Sequence, residues 1–431
     1  MKNGIEMQWR GTTWIWVLFV LLLAFAIRSV AAVTWQSRLA DSSAFALPDS
    51  ATYWELARTI ANGEPYQYGS SESRVFRTPG YPAILSVLFS WRADPPVVWA
   101  RLVGAFLGTL TVAATMVLAL LLFNHRVALL TGWLATVYPG GIGLSILVLS
   151  EAPFCPLMMG QLVFWVLAWK ASSLSRQITW SGLAGVMAGL ATLMRPSWLL
   201  FTPFCLLPLL LVKRERQRHI VIAGSMLASL CLTMTPWWIR NYRVTGTAVL
   251  TTLQVGASLY DGLNPEATGA SDMAFTRTVY WGLKAQPAEE QGLFEVRLDQ
   301  HYRELVWKWV WQEPGRAVSL AGVKLLRMWN IWPNSAEIGS VWIYRLMTLA
   351  YLPLLILSLV GAWRFARLDH PTILCLLPAV YLTGLHVVFV SSIRYRQPAM
   401  LVLIVLAAAV TIELMDRQLS GSTLARIRLK R

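Results

Sequence analysis

Long apolar blocks separated by short polar turns set the pattern of this chain. Ten of them, at 12–33, 98–122, 127–147, 152–169, 178–195, 197–212, 220–239, 341–363, 372–390 and 397–415, reach or approach the roughly 20 residues a helix needs to cross about 30 Å of hydrocarbon. The pattern predicts an all-α polytopic membrane protein with about ten transmembrane helices. The first block follows a charged start, as a signal peptide does, yet it is too long for one and carries Arg28 where cleavage would fall, so a retained signal anchor is expected. Two longer polar stretches, 34–97 and 240–340, interrupt the rhythm. In the first, Tyr53, Ala57 and Ile60 recur at helical spacing after Pro48-Asp49-Ser50 and before Gly63, which predicts a short helix with Asp49 or Ser50 as N-cap. The apolar run Ala83 to Trp91 reaches only about 15 Å as a helix and is expected to lie in the membrane interface. The second stretch ends in an amphipathic pattern over Arg316 to Trp329, with Val318, Val323, Leu326 and Trp329 on one face and Arg316, Lys324 and Arg327 largely off it. Three parts follow: a transmembrane module over 1–239 that includes the 34–97 loop, a 240–340 loop, and a transmembrane module over 341–431 with a basic tail.

Composition agrees: of 431 residues 56% are hydrophobic and 14% charged, which excludes a soluble enzyme, a secreted disulfide scaffold and a disordered chain. Cys155, Cys205, Cys231 and Cys375 lie inside apolar runs without paired spacing. The formal charge of +15 divides by side. With the N-terminus in the cytoplasm, the short inner loops hold nine basic residues, namely Arg126, Lys170, Arg176, Lys213, Arg214, Arg216, Arg218, Arg364 and Arg367, while the short outer turns hold only Arg195, Arg394 and Arg396. Both termini are then cytoplasmic, and both long loops, with their short interfacial helices, face outward from the plasma membrane.

On this topology Arg28, Arg101, Arg195, Arg240, Arg345, Arg394 and Arg396 gather toward the outer side, where the charge rule disfavours them. Such a layer suits an anion, and the planar fork of arginine suits phosphate at headgroup level; snorkelling of each arginine to lipid is the alternative. Asp49, at the start of a helix that carries Tyr53 and Trp54, suits both an N-cap and a general base. Glu151 is the other acid near that layer, while Asp41, Asp272, Glu289, Glu290, Glu295 and Asp299 are expected to be solvated loop residues. His301 and His386 lack ligand spacing, and no metalloprotease, phosphate-loop, dinucleotide or serine-elbow motif is present. Trp307, Trp309, Trp311, Trp329 and Trp332 suit interface anchoring better than stacking on sugar rings. Nothing in the charge pattern calls for nucleic acid.

An ordered set of motifs resembles the GT-C membrane glycosyltransferases, especially bacterial relatives of the protein O-mannosyltransferases and of the lipid A aminoarabinose transferase. The set comprises Asp49-x-x-x-Tyr53-x-x-x-Ala57 with Gly63, Arg77-x-Pro79-Gly80-Tyr81-Pro82, Trp99-Ala100-Arg101-Leu102, Met194-Arg195-Pro196, Pro236 to Asn241 with Arg240, and Arg394-Tyr395-Arg396-Gln397-Pro398. The resemblance implies transfer of a sugar, with inversion, from a polyprenyl-phosphate carrier to a lipid, glycan or protein acceptor at the outer face. It implies Asp49 as catalytic base and Arg394, with Arg396, as phosphate ligand; Arg77, Arg195 and Arg240 are further candidates for the phosphate, and Tyr53, Tyr81, Arg101, Glu151 and Tyr395 for support or acceptor binding. Many relatives have two acids in tandem where this chain has Asp49-Ser50, so no cofactor is required by the pattern, and a divalent cation is left without its second acid. Rival classes are an O-antigen ligase or polymerase, in which the 240–340 loop would carry the decisive groups, and a transporter, which would show repeated halves and mid-span acids.

Overall fold

In the computed structural model, which describes residues 11–39, 45, 47–210, 216–285, 293–332 and 341–428, the chain is helical throughout the described residues. The helices are α1 (Gly11–Ser37), α2 (Pro48–Ala61), α3 (Gly80–Trp91), α4 (Val97–Leu122), α5 (His125–Val137), α6 (Pro139–Ile146), α7 (Glu151–Lys170), α8 (Leu174–Met194), α9 (Phe201–Leu210), α10 (Arg216–Thr245), α11 (Val255–Gly262), α12 (Phe275–Lys284), α13 (Phe294–Gln312), α14 (Pro314–Trp329), α15 (Val341–Phe365), α16 (Leu377–Val388) and α17 (Ile393–Arg428). Asp41, Lys213, Arg214, Glu289, Glu290, Lys430 and Arg431 lie outside the described residues.

This is a multi-pass membrane protein. Six helices (α1, α4, α7, α10, α15 and α17) are long and apolar enough to cross a bilayer, and α5 with α6 is apolar enough only as a pair, bent by 59° at Tyr138-Pro139. The other three expected spans hold helices that are less apolar or shorter: α8, α9 behind a 3-10 turn at Pro196–Trp198, and α16 behind one at Pro371–Cys375. α17 is the central post. Its stretch from Ala399 to Val410 is apolar all round and wholly buried, as a helix in contact with neighbours on every side must be, with α5, α15 and α16 among them. A second layer runs from α4 through α7 and α8 to α10, and α1 closes against α4 and α5.

Cations in this bundle, four of the five named below buried, serve a use that the charge pattern did not suggest. The last carbonyls of a helix have no partner within it and favour positive charge. Arg28 donates to Ala135 O and Thr136 O at the end of α5, Arg101 to Ile146 O at the end of α6, and Lys170 to Leu121 O at the end of α4. Lys324 donates to Val388 O at the end of α16, and Arg396 to Met328 O and Asn330 O at the end of α14. The expectation that all the outer arginines await an anion is corrected for these members of the layer. Arg240 likewise donates to Arg74 O and Tyr66 O, and Arg345 is exposed on α15.

The two long polar segments pack on one another. Leu253 N donates to Val75 O, Lys284 pairs with Glu72, and Glu295 Oε2 accepts from Arg74 N (2.7 Å) and Val75 N (2.9 Å). Glu295 and Asp299 are therefore buried anchors and not solvated loop residues, Asp299 accepting from Gly256 N and pairing with Arg303. Helix α14 is amphipathic as expected, but its packed stripe is Leu320, Lys324 and Met328, while Val318 and Leu326 are exposed. Trp307 and Trp311 are exposed one turn apart on α13, and Trp309 is buried between them.

Burial pushes the Glu295 carboxyl from 4.5 up to about 6, against the two backbone donors that lower it. The folded state thus holds this proton more tightly than the unfolded chain. Its stabilising effect is complete below pH 4.5 and lost as pH rises through 6, a change of about 2 kcal/mol. Melting of the detergent-solubilised protein at pH 5 and pH 7 is expected to show the higher midpoint at pH 5. Glu295→Gln, which keeps an acceptor oxygen for both backbone donors, is expected to flatten that difference.

Candidate functional site

Four places meet at one end of the bundle: the start of α2, the turn before α3, the start of α7 beside the end of α8, and the start of α17. Pro48 fixes the first turn of α2, with Leu47 extended as N-cap, and places Asp49 in that turn. Asp49 is not the N-cap expected from the sequence, and no side chain caps this helix. Its carboxylate faces outward, 40% exposed, and is favoured by the helix N-terminus. One turn further, Tyr53 stacks edge-on against Tyr81 at 5.2 Å, and both are buried.

The Arg77-x-Pro-Gly turn owes its close packing to Gly80. A Cβ there would lie 2.6 Å from Leu193 O and 2.8 Å from Met194 Sδ, at the end of α8. This contact brings Arg77 within reach of Asp49 while α8 delivers Arg195. The Arg195 backbone is extended ahead of Pro196, which ends the helix and turns its side chain toward α7. α7 runs back along α8, so that Glu151, in its first turn, stands opposite Arg195.

These groups form an alternating chain of charge. Arg77 Nη2 donates to Asp49 Oδ1 at 2.6 Å, Asp49 Oδ2 lies 3.7 Å from Arg394 Nη2, Arg394 Nε is 2.5 Å from Glu151 Oε1, and the same oxygen is 2.5 Å from Arg195 Nη1. Exposure separates the two acids: the Glu151 side chain is 1% accessible, against 40% for Asp49. Glu151 is thus a buried brace for two guanidiniums, and Asp49 is the carboxylate that a ligand can reach. Aromatic rings shape the cations. Arg77 lies over Tyr53 and Phe76, and Arg195 over Phe154; the Tyr395 ring lies beneath both Arg195 and Arg394. Burial opposes the charge of Arg77, but Tyr53 and Asp49 hold its pKa above the usual value.

The structure therefore unites Asp49, Arg77, Arg195, Arg394, Glu151, Tyr53, Tyr81 and Tyr395. Arg101 stands behind Tyr81, bonded to Gln36 and Ile146 O, and Arg240 and Arg396 are spent on backbone carbonyls. One neighbour was missed as part of the site: His386, stacked on Tyr395 with ring centroids 4.0 Å apart and Nδ1 on Val390 O. Its isolated place at the end of an apolar run was the only signal. Two polar atoms here, Arg77 Nε and His386 Nε2, have no hydrogen-bond partner among the described residues. The first is a free donor. The second, since Nδ1 faces a carbonyl, is a free acceptor. Both acids are held by guanidiniums, a set that suits an anion better than a divalent cation; among the described residues no three His, Cys, Asp or Glu side chains group as metal ligands.

Residues 77–239 match the family model described as dolichyl-phosphate-mannose-protein mannosyltransferase. No curated protein matches the chain in sequence. Among solved structures it is similar to the archaeal oligosaccharyltransferase AglB from Archaeoglobus fulgidus in complex with an inhibitory peptide and a dolichol-phosphate, at TM-score 0.57 and 16% identity over 96% of this chain and 52% of that one. The apo form of the Archaeoglobus fulgidus enzyme superposes at TM-score 0.59 and 16% identity, over 95% and 52%. A looser match, at TM-score 0.45 and 16% identity over 97% and 80%, is ArnT from Cupriavidus metallidurans bound to undecaprenyl phosphate. The chain spans about half the length of the archaeal enzyme. Its helical architecture is accordingly the GT-C fold of membrane glycosyltransferases, the fold its ordered motifs resemble.

Proposed function

We propose that this protein is an inverting glycosyltransferase that moves a sugar from a polyprenyl-phosphate carrier to a hydroxyl of a lipid, glycan or protein acceptor at the outer face of the plasma membrane, with both termini cytoplasmic. The observation that carries this reading is the run of alternating charge from Arg77 through Asp49, Arg394 and Glu151 to Arg195, in which only Asp49 is an accessible acid. The mannosyltransferase family match over 77–239 supports the sugar chemistry, since it includes Arg77, Glu151 and Arg195. The dolichol-phosphate in the archaeal relative supports the carrier class.

Arg394 and Arg77 present planar donors on either side of Asp49, where a carrier phosphate would sit and where Arg77 Nε has a donor to offer. Glu151 fixes Arg394 and Arg195 in place, so these donors need little reorganisation as charge develops. Asp49 accepts the proton of the incoming hydroxyl as its oxygen bonds to the anomeric carbon from the face opposite the phosphate. The bond from that carbon to the phosphate oxygen breaks, and the carrier phosphate leaves with the electron pair. No covalent enzyme intermediate forms. Arg240, Arg396 and Arg101 act on this reading through the fold and not on the phosphate.

Two outcomes test the assignments. Asp49→Asn is expected to retain the wild-type melting midpoint and carrier binding while lowering transfer from a labelled polyprenyl-phosphate sugar by about 10²–10⁴-fold; near-normal turnover would falsify the role of Asp49. Arg394→Ala is expected to weaken carrier binding by about ten- to a hundredfold, the effect of losing a charge-assisted hydrogen bond. Glu151 still has Arg195 as a partner in that variant, so the fold should persist, and unchanged binding in a carrier titration would remove Arg394 from the phosphate site.

A further inference from the structure

Lys324 is wholly buried in α14, although its place in the sequence pattern is on the polar side of an amphipathic helix. A buried ammonium is costly unless its donors are used. Its Nζ donates to Val388 O at 2.7 Å, and Asp261 supplies the nearby negative charge. Asp261 is itself fixed by Ser271 Oγ at 2.6 Å and Asp272 N at 2.8 Å. Val388 ends α16, and the turn that follows leads directly into Arg394.

That turn is gripped at a second point. Ser391 Oγ donates to Lys324 O at 2.7 Å, and Ser391 N donates to Gly269 O at 2.9 Å. Gly269 has a φ of +87° and lies so close to α14 that a Cβ there would approach Lys324 Cγ and Val323 Cγ1 to 3.3 Å. Ser392 Oγ accepts from Arg394 N at 3.3 Å, and Arg396 returns to the end of α14 through Met328 O at 3.1 Å. The four hydrogen bonds just named join the turn at 388–396 to itself or to the 240–340 segment. The side chain and the carbonyl of one residue, Lys324, hold both ends of the 388–391 turn.

We propose that Lys324 is a positioning residue for Arg394: through Val388 and Ser391 it sets the height and direction at which α17 begins, and so the point at which the Arg394 guanidinium meets a carrier phosphate. The proposal rests on the reading of Arg394 as a phosphate ligand. It gives the 240–340 segment a direct hold on the donor site, so that this segment acts on donor affinity as well as on whatever acceptor it meets.

The test is a titration of the full-length protein in nanodiscs with polyprenyl phosphate lacking sugar, alongside thermal melting. Lys324→Met, of similar length and without donors, is expected to raise the apparent Kd about tenfold, as loss of one hydrogen bond to a charged group would, with little change in melting midpoint. Ser391→Ala is expected to raise it in the same direction, Ser391→Thr to restore it, and the double variant Lys324→Met with Ser391→Ala to fall short of the product of the two single effects. Wild-type affinity in Lys324→Met and Ser391→Ala overturns the proposal. So does a loss of affinity that tracks a loss of melting midpoint across the variants and is not rescued by threonine. Failure of the wild-type protein to bind polyprenyl phosphate, with Arg394→Ala indistinguishable from it, overturns the phosphate-site reading itself.

Discussion

A single oxygen of the Glu151 carboxylate, itself almost out of contact with solvent, holds two guanidiniums, Arg195 and Arg394, each at 2.5 Å. The arrangement of the site depends on this junction. It ties the start of α7 to the end of α8, along which α7 packs, and to the start of α17, which α7 otherwise barely touches. Removing one member of such a buried group typically costs about 3–5 kcal/mol, because the charge left behind is neither hydrated nor paired. Two partners on one oxygen spread that dependence. Arg394 turns part of its fork toward Asp49, and Glu151 keeps Arg195 as a second partner. A rigid brace, Glu151, and an accessible acid, Asp49, are thereby built from the same functional group by their difference in burial.

The cations of the bundle and its site fall into two populations, and their partners tell them apart. Arg77, Arg195 and Arg394 meet carboxylates. Arg28, Arg101, Lys170, Lys324 and Arg396 meet the unpaired carbonyls at the ends of helices α5, α6, α4, α16 and α14. The second use follows from packing: a helix that ends against its neighbours, as α5 does at the Tyr138-Pro139 bend, has last carbonyls without a partner of their own. A cation from a neighbouring helix satisfies them and also ties the two helices together.

Much of this was legible in the chain. The apolar blocks locate helices at every expected span, because hydrocarbon demands a pattern too long to mistake, and the Arg77-x-Pro-Gly and Arg195-Pro turns announce themselves by backbone restriction. What a linear pattern does not carry is the partner. Arg394 and Arg396 are two residues apart, yet one faces Glu151 and the other crosses to α14 and lies over the Tyr351 ring. Lys324 looked like a solvated charge, and Glu295 and Asp299 like loop acids, because the segments that bury them are distant in sequence. His386 was visible only as a lone polar residue; its contact with Tyr395 arises from the antiparallel meeting of α16 and α17.

On the proposed reaction, the composition of the cluster has a consequence for the energetics of transfer. Three guanidiniums against two carboxylates leave one net positive charge. A sugar joined to its lipid through a phosphodiester brings one negative charge and makes the assembly neutral. When the sugar departs, the phosphate becomes a monoester and gains a second negative charge, while the carboxylate that takes the hydroxyl proton loses its own. The sum is unchanged from bound donor to bound product, so in a low-dielectric site no uncompensated charge accumulates at the point where it would be most costly. Replacing any one of the three arginines by a neutral residue upsets this balance at both ends of the reaction equally.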